Sequence, residues 1–186
     1  MPNLPASAAP IDFTTAFGRL LRDGALRDAL AANPRRVVEQ LGVREQDRPA
    51  LLHLVPADLE YQAEILLRKR LGVVREFIPE TLRRLAGDAW PRFHHYARRH
   101  WPDAPHSGLR DAHAFAGFLQ ATQPGAICDR EWNRLEFFRK QQRLAVHWVR
   151  RRGEDRAGWW RGELQLLVRT GRQAGRGAEW LLHFQL

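Results

Sequence analysis

The chain has 186 residues, 44% of them hydrophobic and 27% charged, with a net charge of +9; that size holds one large domain or two small ones, and that apolar share excludes a wholly disordered chain. A single cysteine, Cys128, excludes an intrachain disulfide, and the absence of a signal-peptide pattern or a bilayer-length apolar run makes the expected setting cytoplasmic, with no membrane partner. The charge is uneven: residues 1–64 carry 7 basic and 9 acidic side chains, whereas 65–186 carry 23 and 12, a field that favours an acidic partner, nucleic acid or peptide.

Residues 1–10, with Pro2, Pro5 and Pro10, read as a disordered lead-in, and 11–140 read as a helical domain. Asp12 or Thr14 caps a helix to about Arg22 that carries Phe13, Phe17, Leu20 and Leu21 on one face. Asp23 opens a second helix through Leu26 and Leu30, and Asn33, Pro34 and Gly42 bracket a third. The longest helix runs from Pro56 to Phe77, because Leu59, Ala63, Leu66, Leu67, Leu71, Val74 and Phe77 recur at three- and four-residue steps. Pro79 and Gly87 punctuate a short helix over 81–85. Asp88 caps a helix over 89–101 with Trp90, Phe93 and Ala97 inward, ended by Pro102 and Pro105. Ser107 caps a helix bearing Leu109, Ala112, Phe115, Ala116 and Leu119. After a turn at Pro124 and Gly125, Asp129 opens the last helix, on which Trp132, Leu135 and Phe138 share a face.

Near residue 141 the hydrophobic period changes from helical spacing to two. Strands are expected over 143–150, 161–169 and 179–185, joined by turns at 152–158 and 170–177. Residues 141–186 then form a small three-stranded antiparallel sheet, and the fold class is α+β: an N-terminal all-helical bundle followed by that sheet. Trp160, Leu164, Leu166 and Val168 fall on one parity against Arg161, Glu163, Gln165 and Arg169. Trp180, Leu182, Phe184 and Leu186 oppose Glu179, His183 and Gln185. The apolar parity is the expected buried face. A meander leaves one outer strand, 143–150 or 179–185, open to an extended peptide.

Catalytic patterns are missing from the sequence. Ser7 and Ser107 are its only serines, Cys128 has no evident base, and no pair among His94, His95, His100 and His106 follows the H-E-x-x-H spacing of a metal site. Gly171, Gly175 and Gly177 lie between two strands, so they are turn residues rather than a phosphate loop. Three basic clusters, at 68–70, 98–99 and 150–152, together with Trp159 and Trp160, leave a nucleic-acid-binding regulatory protein as the alternative reading.

Several motifs point elsewhere. The run Ala63-Glu64-Ile65-Leu66-Leu67-Arg68-Lys69-Arg70-Leu71, then Phe77-Ile78-Pro79 and Leu85-Ala86-Gly87-Asp88-Ala89-Trp90, resembles a bacterial helical family that carries a DNA-binding-domain label. Tyr96, His100-Trp101-Pro102, Phe115, Phe118-Leu119 and Asn133-Arg134-Leu135-Glu136 continue the resemblance. Several members of that family look like partner subunits of multinuclear non-heme iron-dependent oxidases that modify ribosomally made peptides; the methanobactin partner subunit is one. The resemblance implies a non-catalytic partner protein with no cofactor of its own, the iron residing in the oxidase. It implies that the sheet edge takes the leader of a precursor peptide; on charge, aromatic character and strand position, His147, Trp148, Arg150, Trp159, Trp160, Arg161, Arg169, Trp180 and His183 are the candidate peptide-binding residues. Arg98, Arg99, His100 and Trp101 are the candidates for docking the oxidase.

Overall fold

A computed structural model describes residues 9–102, 108–150, 161–169 and 178–185, with backbone alone at 150, 161–162 and 178–185. The fold is α+β. The chain forms two units, one of Met1–Arg70 with Arg92–Trp101 and the other of Leu71–Pro91 with Pro102–Leu186. The expected lead-in at 1–8, the Ser107 cap and both strand connections lie outside the described residues.

In the first unit, three short polar side chains set three helix starts. Asp12 accepts from the Thr15 N–H (2.8 Å) to open α1 (Phe13–Arg22). Asp23 accepts from the Leu26 N–H (3.1 Å) to open α2 (Gly24–Ala32). Asn33 accepts from the Arg36 N–H (3.1 Å), with Pro34 as the first residue of α3 (Pro34–Gln40). Gly42, at φ +66°, turns the chain into a short parallel bridge between Ile11 and Val43. The sequence pattern does not foresee α4 (Arg48–Leu52), since five residues are too few to show a period. Pro56 begins α5 (Pro56–Phe77), whose bounds match the expectation. Ala16, Leu20, Leu30, Val37, Val38, Val43, Leu51 and Leu59 form the buried core, the larger of them stabilising the fold by roughly 1.5–3 kcal/mol each.

An arginine network ties this unit together. Arg27, only 4% exposed, donates from Nη1 to the Leu20 and Leu21 carbonyls (3.0 Å each) and from Nε to Glu60 (2.6 Å). It thereby satisfies carbonyls that the end of α1 leaves open. Arg98 reaches the same Glu60 (2.7 Å) and Asp28 (2.6 Å). The Gly24 N–H donates to the Arg98 carbonyl (3.0 Å), and a Cβ at Gly24 would lie 3.0 Å from that oxygen, so glycine permits the close approach.

Helix α6 (Pro79–Leu85) begins two residues earlier than its sequence suggests. In contrast, α7 (Ala89–Ala97) stops four residues short of the expected Trp101. The His100 ring stacks on Tyr96 (5.0 Å) and its Nδ1 lies 3.0 Å from the Tyr96 carbonyl, while Trp101 precedes Pro102, a position biased away from helix.

The second unit holds α6, α8 (Gly108–Thr122), α9 (Asp129–Arg139) and the strands. Ile78, at the cap of α6, has no side-chain acceptor, and Glu131 of α9 takes that role. Its carboxylate accepts from the Glu80 N–H (2.7 Å), the Thr81 N–H (2.8 Å) and the Thr81 hydroxyl (2.5 Å); Thr81 Oγ1 in turn accepts from the Cys128 N–H (3.0 Å). The face of α9 differs from expectation. Leu135 and Phe137 are the buried pair at 1% exposure, whereas Trp132 and Phe138 are half-buried, Trp132 stacking on His113 (5.1 Å).

Two glutamines turn α9 into the sheet. Gln141 sits at φ +53°, its N–H donating to the Phe138 carbonyl (3.2 Å), and the Gln142 N–H donates to the Phe137 carbonyl (3.2 Å). This is a Schellman ending with glutamine where glycine is favoured. β1 (Leu144–Arg150) follows, then β2 (Arg161–Val168) and β3 (Ala178–Gln185), all neighbours antiparallel and ordered β1-β2-β3.

Candidate functional site

The sheet is the candidate site, and its two faces are set by α9, which packs against β1 and β2. Gln165, 0% exposed, accepts at Oε1 from the Asn133 amide (3.1 Å) and donates from Nε2 to the Arg130 carbonyl (3.0 Å). Leu167 (2%) and Glu163 (5%) are buried on the same parity, and so is Val149 (5%), paired with Glu163 across the strands. The buried face is therefore the one carrying Glu163 and Gln165.

This reverses the sequence expectation. The apolar parity looks away from α9: Leu144 is 60% exposed, Val146 54% and Trp148 51%, and they pair with Val168, Leu166 and Leu164, all half-buried. By register, Val168, Leu166 and Leu164 stand opposite Ala178, Trp180 and Leu182 on β3. Polarity decides the orientation, because the fully buried Gln165 amide finds its donor and its acceptor on α9, at the Asn133 amide and the Arg130 carbonyl.

The candidate peptide residues divide accordingly. Trp148 lies in the exposed apolar row. His147 pairs with Gln165, so it belongs to the α9 side, and its Nε2 is buried with no hydrogen-bond partner among the described residues. Arg169, half-buried, follows β2; its N–H donates to the Arg143 carbonyl (2.9 Å) and its Nη1 reaches the Gln141 carbonyl (3.4 Å). Arg150 stands opposite Gly162, Arg161 opposite Gln185, Trp180 opposite Leu166 and His183 opposite Glu163. Trp159 and Trp160 lie outside the described residues. Sequence reasoning passed over Leu144 and Val146, whose signal was their alternation with Ala145 and His147.

The four candidate oxidase-docking residues are adjacent in sequence but unlike in setting. Arg98 is held by Glu60 and Asp28. Arg70 stacks over the Trp101 ring (4.5 Å) and donates to the His100 carbonyl (3.0 Å), while Arg22 lies 5.7 Å from the same ring. Arg99 is exposed. Two of the basic clusters thus have internal tasks, since Arg68 also pairs with Glu64 (2.6 Å).

A second polar cluster lies between α8 and α9. Glu136 accepts from Arg139 (2.8 Å) and Lys140 (2.8 Å), with His113 Nε2 at 2.5 Å. The Arg139 hydrogen bond, assisted by Lys140 and His113 and opposed by desolvation, holds the Glu136 carboxyl far below its ordinary range. Among the described residues, no three His, Cys, Asp or Glu side chains converge as a metal would require, and no helix is long and apolar enough to cross a membrane.

Residues 31–121 match the model of a family described as SCO6045-like, C-terminal domain. The match covers just under half of the chain and ends before α9 and the strands. No curated protein and no solved structure matches the chain.

Proposed function

We propose that the chain is a non-catalytic partner subunit that takes a ribosomally made precursor peptide by edge-strand pairing and presents it to a separate multinuclear iron-dependent oxidase. The observation that carries this reading is the strand order: β1 and β3 each have only β2 as a described neighbour. An edge of this kind gives affinity through main-chain hydrogen bonds, and alternate side chains add selectivity. The family match at 31–121 supports the reading only by overlapping the stretch whose motifs resemble the oxidase partners. The iron and the oxidation chemistry belong to the other subunit, so no residue here is assigned a catalytic role. The proposed setting is the cytoplasm, where such peptides are made.

The test is co-expression of this chain with an iron oxidase and a cysteine-containing precursor peptide encoded beside it. A complex that survives purification, and peptide oxidation that fails when this chain is omitted, are the expected results. Failure of the three to associate at micromolar concentration overturns the proposal. Sequence-preferring duplex binding that weakens steeply with salt would replace it with the nucleic-acid reading.

A further inference from the structure

Resting on that reading, we propose that β1 is the docking edge, and that its occupant is an extended peptide with apolar side chains at every second position and acidic residues at both ends.

One hydrogen bond fixes the phase of the sheet. The Arg169 N–H donates to the Arg143 carbonyl (2.9 Å), which makes Arg143 and Arg169 a hydrogen-bonded pair. In an antiparallel ladder such pairs alternate with pairs whose N–H and C=O groups point outward. Ala145, His147 and Val149 therefore turn their main-chain groups towards β2, and Leu144, Val146 and Trp148 turn theirs to the outer edge. These outward residues also carry the exposed apolar side chains, at 60%, 54% and 51%. On β3 the same phase sends the main-chain groups of Glu179, Leu181, His183 and Gln185 outward, an edge with a charged residue at its start.

A strand added at β1 places the residues directly opposite Leu144, Val146 and Trp148 on their face of the sheet. Those residues extend the apolar row that Leu164, Leu166 and Val168 continue on the other side. The intervening residues fall on the α9 side, beside Ala145, His147 and Val149 of β1. Charge sets the flanks. In the sequence, residues 139–152 hold six basic side chains and no acidic one; Arg139 and Lys140 are paired with Glu136, while Arg143 precedes β1 and Arg150 closes it. The same arginines disfavour a second copy of the chain, because symmetric antiparallel pairing of two β1 edges brings the Arg143 end of one onto the Arg150 end of the other.

The probe is a fluorescein-labelled peptide, Asp-Asp-Val-Thr-Val-Thr-Val-Asp-Asp, compared by anisotropy with Asp-Asp-Val-Val-Val-Thr-Thr-Asp-Asp. The alternating peptide is expected to bind the full chain about tenfold more tightly or better. N-methylation of its valines should abolish binding, whereas N-methylation of its threonines should not, because only the valine amides face β1. Amide exchange at Leu144, Val146 and Trp148 should slow on binding, and Val146→Glu, an exposed substitution, should remove both effects. Equal affinity for the two peptides, no binding of either, or protection along β3 overturns the inference. So does concentration-dependent dimerisation that Val146→Glu abolishes, which assigns the edge to a second copy. A native precursor that binds with protection along β3 sinks the choice of edge but leaves the proposed function standing. A probe that binds β1 while no oxidase complex forms does the reverse.

Discussion

The start of α6 depends on one carboxylate from another helix, and removing it has a calculable effect. Glu131 is 5% exposed and accepts three hydrogen bonds, two from the first-turn amides of α6 and one from the Thr81 hydroxyl. Hydrogen bonds to charged groups contribute about 1.5–3 kcal/mol each, and a buried donor left without a partner costs about 1–3 kcal/mol. The Glu80 amide can turn to water, but Thr81 is 0% exposed and cannot. Glu131→Ala should therefore destabilise the fold by about 3–4 kcal/mol, a large share of the roughly 5–15 kcal/mol typical of a domain. Glu131→Gln keeps one acceptor oxygen and nearly the same volume, but turns an amide nitrogen towards donors, and should cost about 1–2 kcal/mol. Thr81→Val should cost a similar amount, because the Cys128 N–H loses its acceptor. The two conservative variants combined should be non-additive by about 1 kcal/mol or more, since they share a bond. Urea unfolding followed by circular dichroism, with comparable slopes among variants, gives these differences directly. A loss below about 1 kcal/mol for Glu131→Ala would show that α6 is held by packing alone and refute the capping argument.

Three further outcomes test other parts of the structure. Arg27→Met should lower stability by about 2 kcal/mol in the same assay, because the Leu20 and Leu21 carbonyls lose their donor and Glu60 keeps only Arg98; an unchanged midpoint would contradict it. The depressed Glu136 carboxyl contributes stability that is present above its ordinary value of 4.5 and is lost as pH falls towards its folded value. Glu136→Gln should therefore cost about 1 kcal/mol at neutral pH, a figure discounted for its half-exposed cationic partners, and progressively less below about pH 4; a pH-independent difference would refute the linkage. Gln141→Gly should raise stability by about 0.5–1 kcal/mol, since glycine adopts the left-handed cap without steric cost, and a thermal midpoint that falls would overturn this.

What could be read from the sequence was what local rules govern. Asp12, Asp23 and Asn33 cap helices through bonds three residues away, so their signal lies within one turn. The ends of α5 are marked by Pro56 and by the Ile78–Pro79 pair, and the strands by two-residue alternation. The α6 cap was illegible because its acceptor is fifty residues downstream, and the early end of α7 depends on how His100 and Trp101 pack. At the candidate site the alternation was legible but its direction was not. Hydropathy assigns Leu164 and Leu166 to the interior, whereas the hydrogen bonds of Gln165 assign them to the outside, and His147 moves to the α9 side with the same parity.

Gln165 also explains how the ladder avoids alternative alignments. A one-residue slide of β2 would turn Leu164 and Leu166 towards α9, an arrangement that oil-and-water energetics alone would prefer, yet it would take the Gln165 amide away from the Arg130 carbonyl and the Asn133 amide. The two hydrogen bonds of Gln165 therefore favour one alignment of β2 over its one-residue neighbours. The outward leucines and valines can consequently drift among greasy residues without misthreading the strands, while position 165 has almost no latitude.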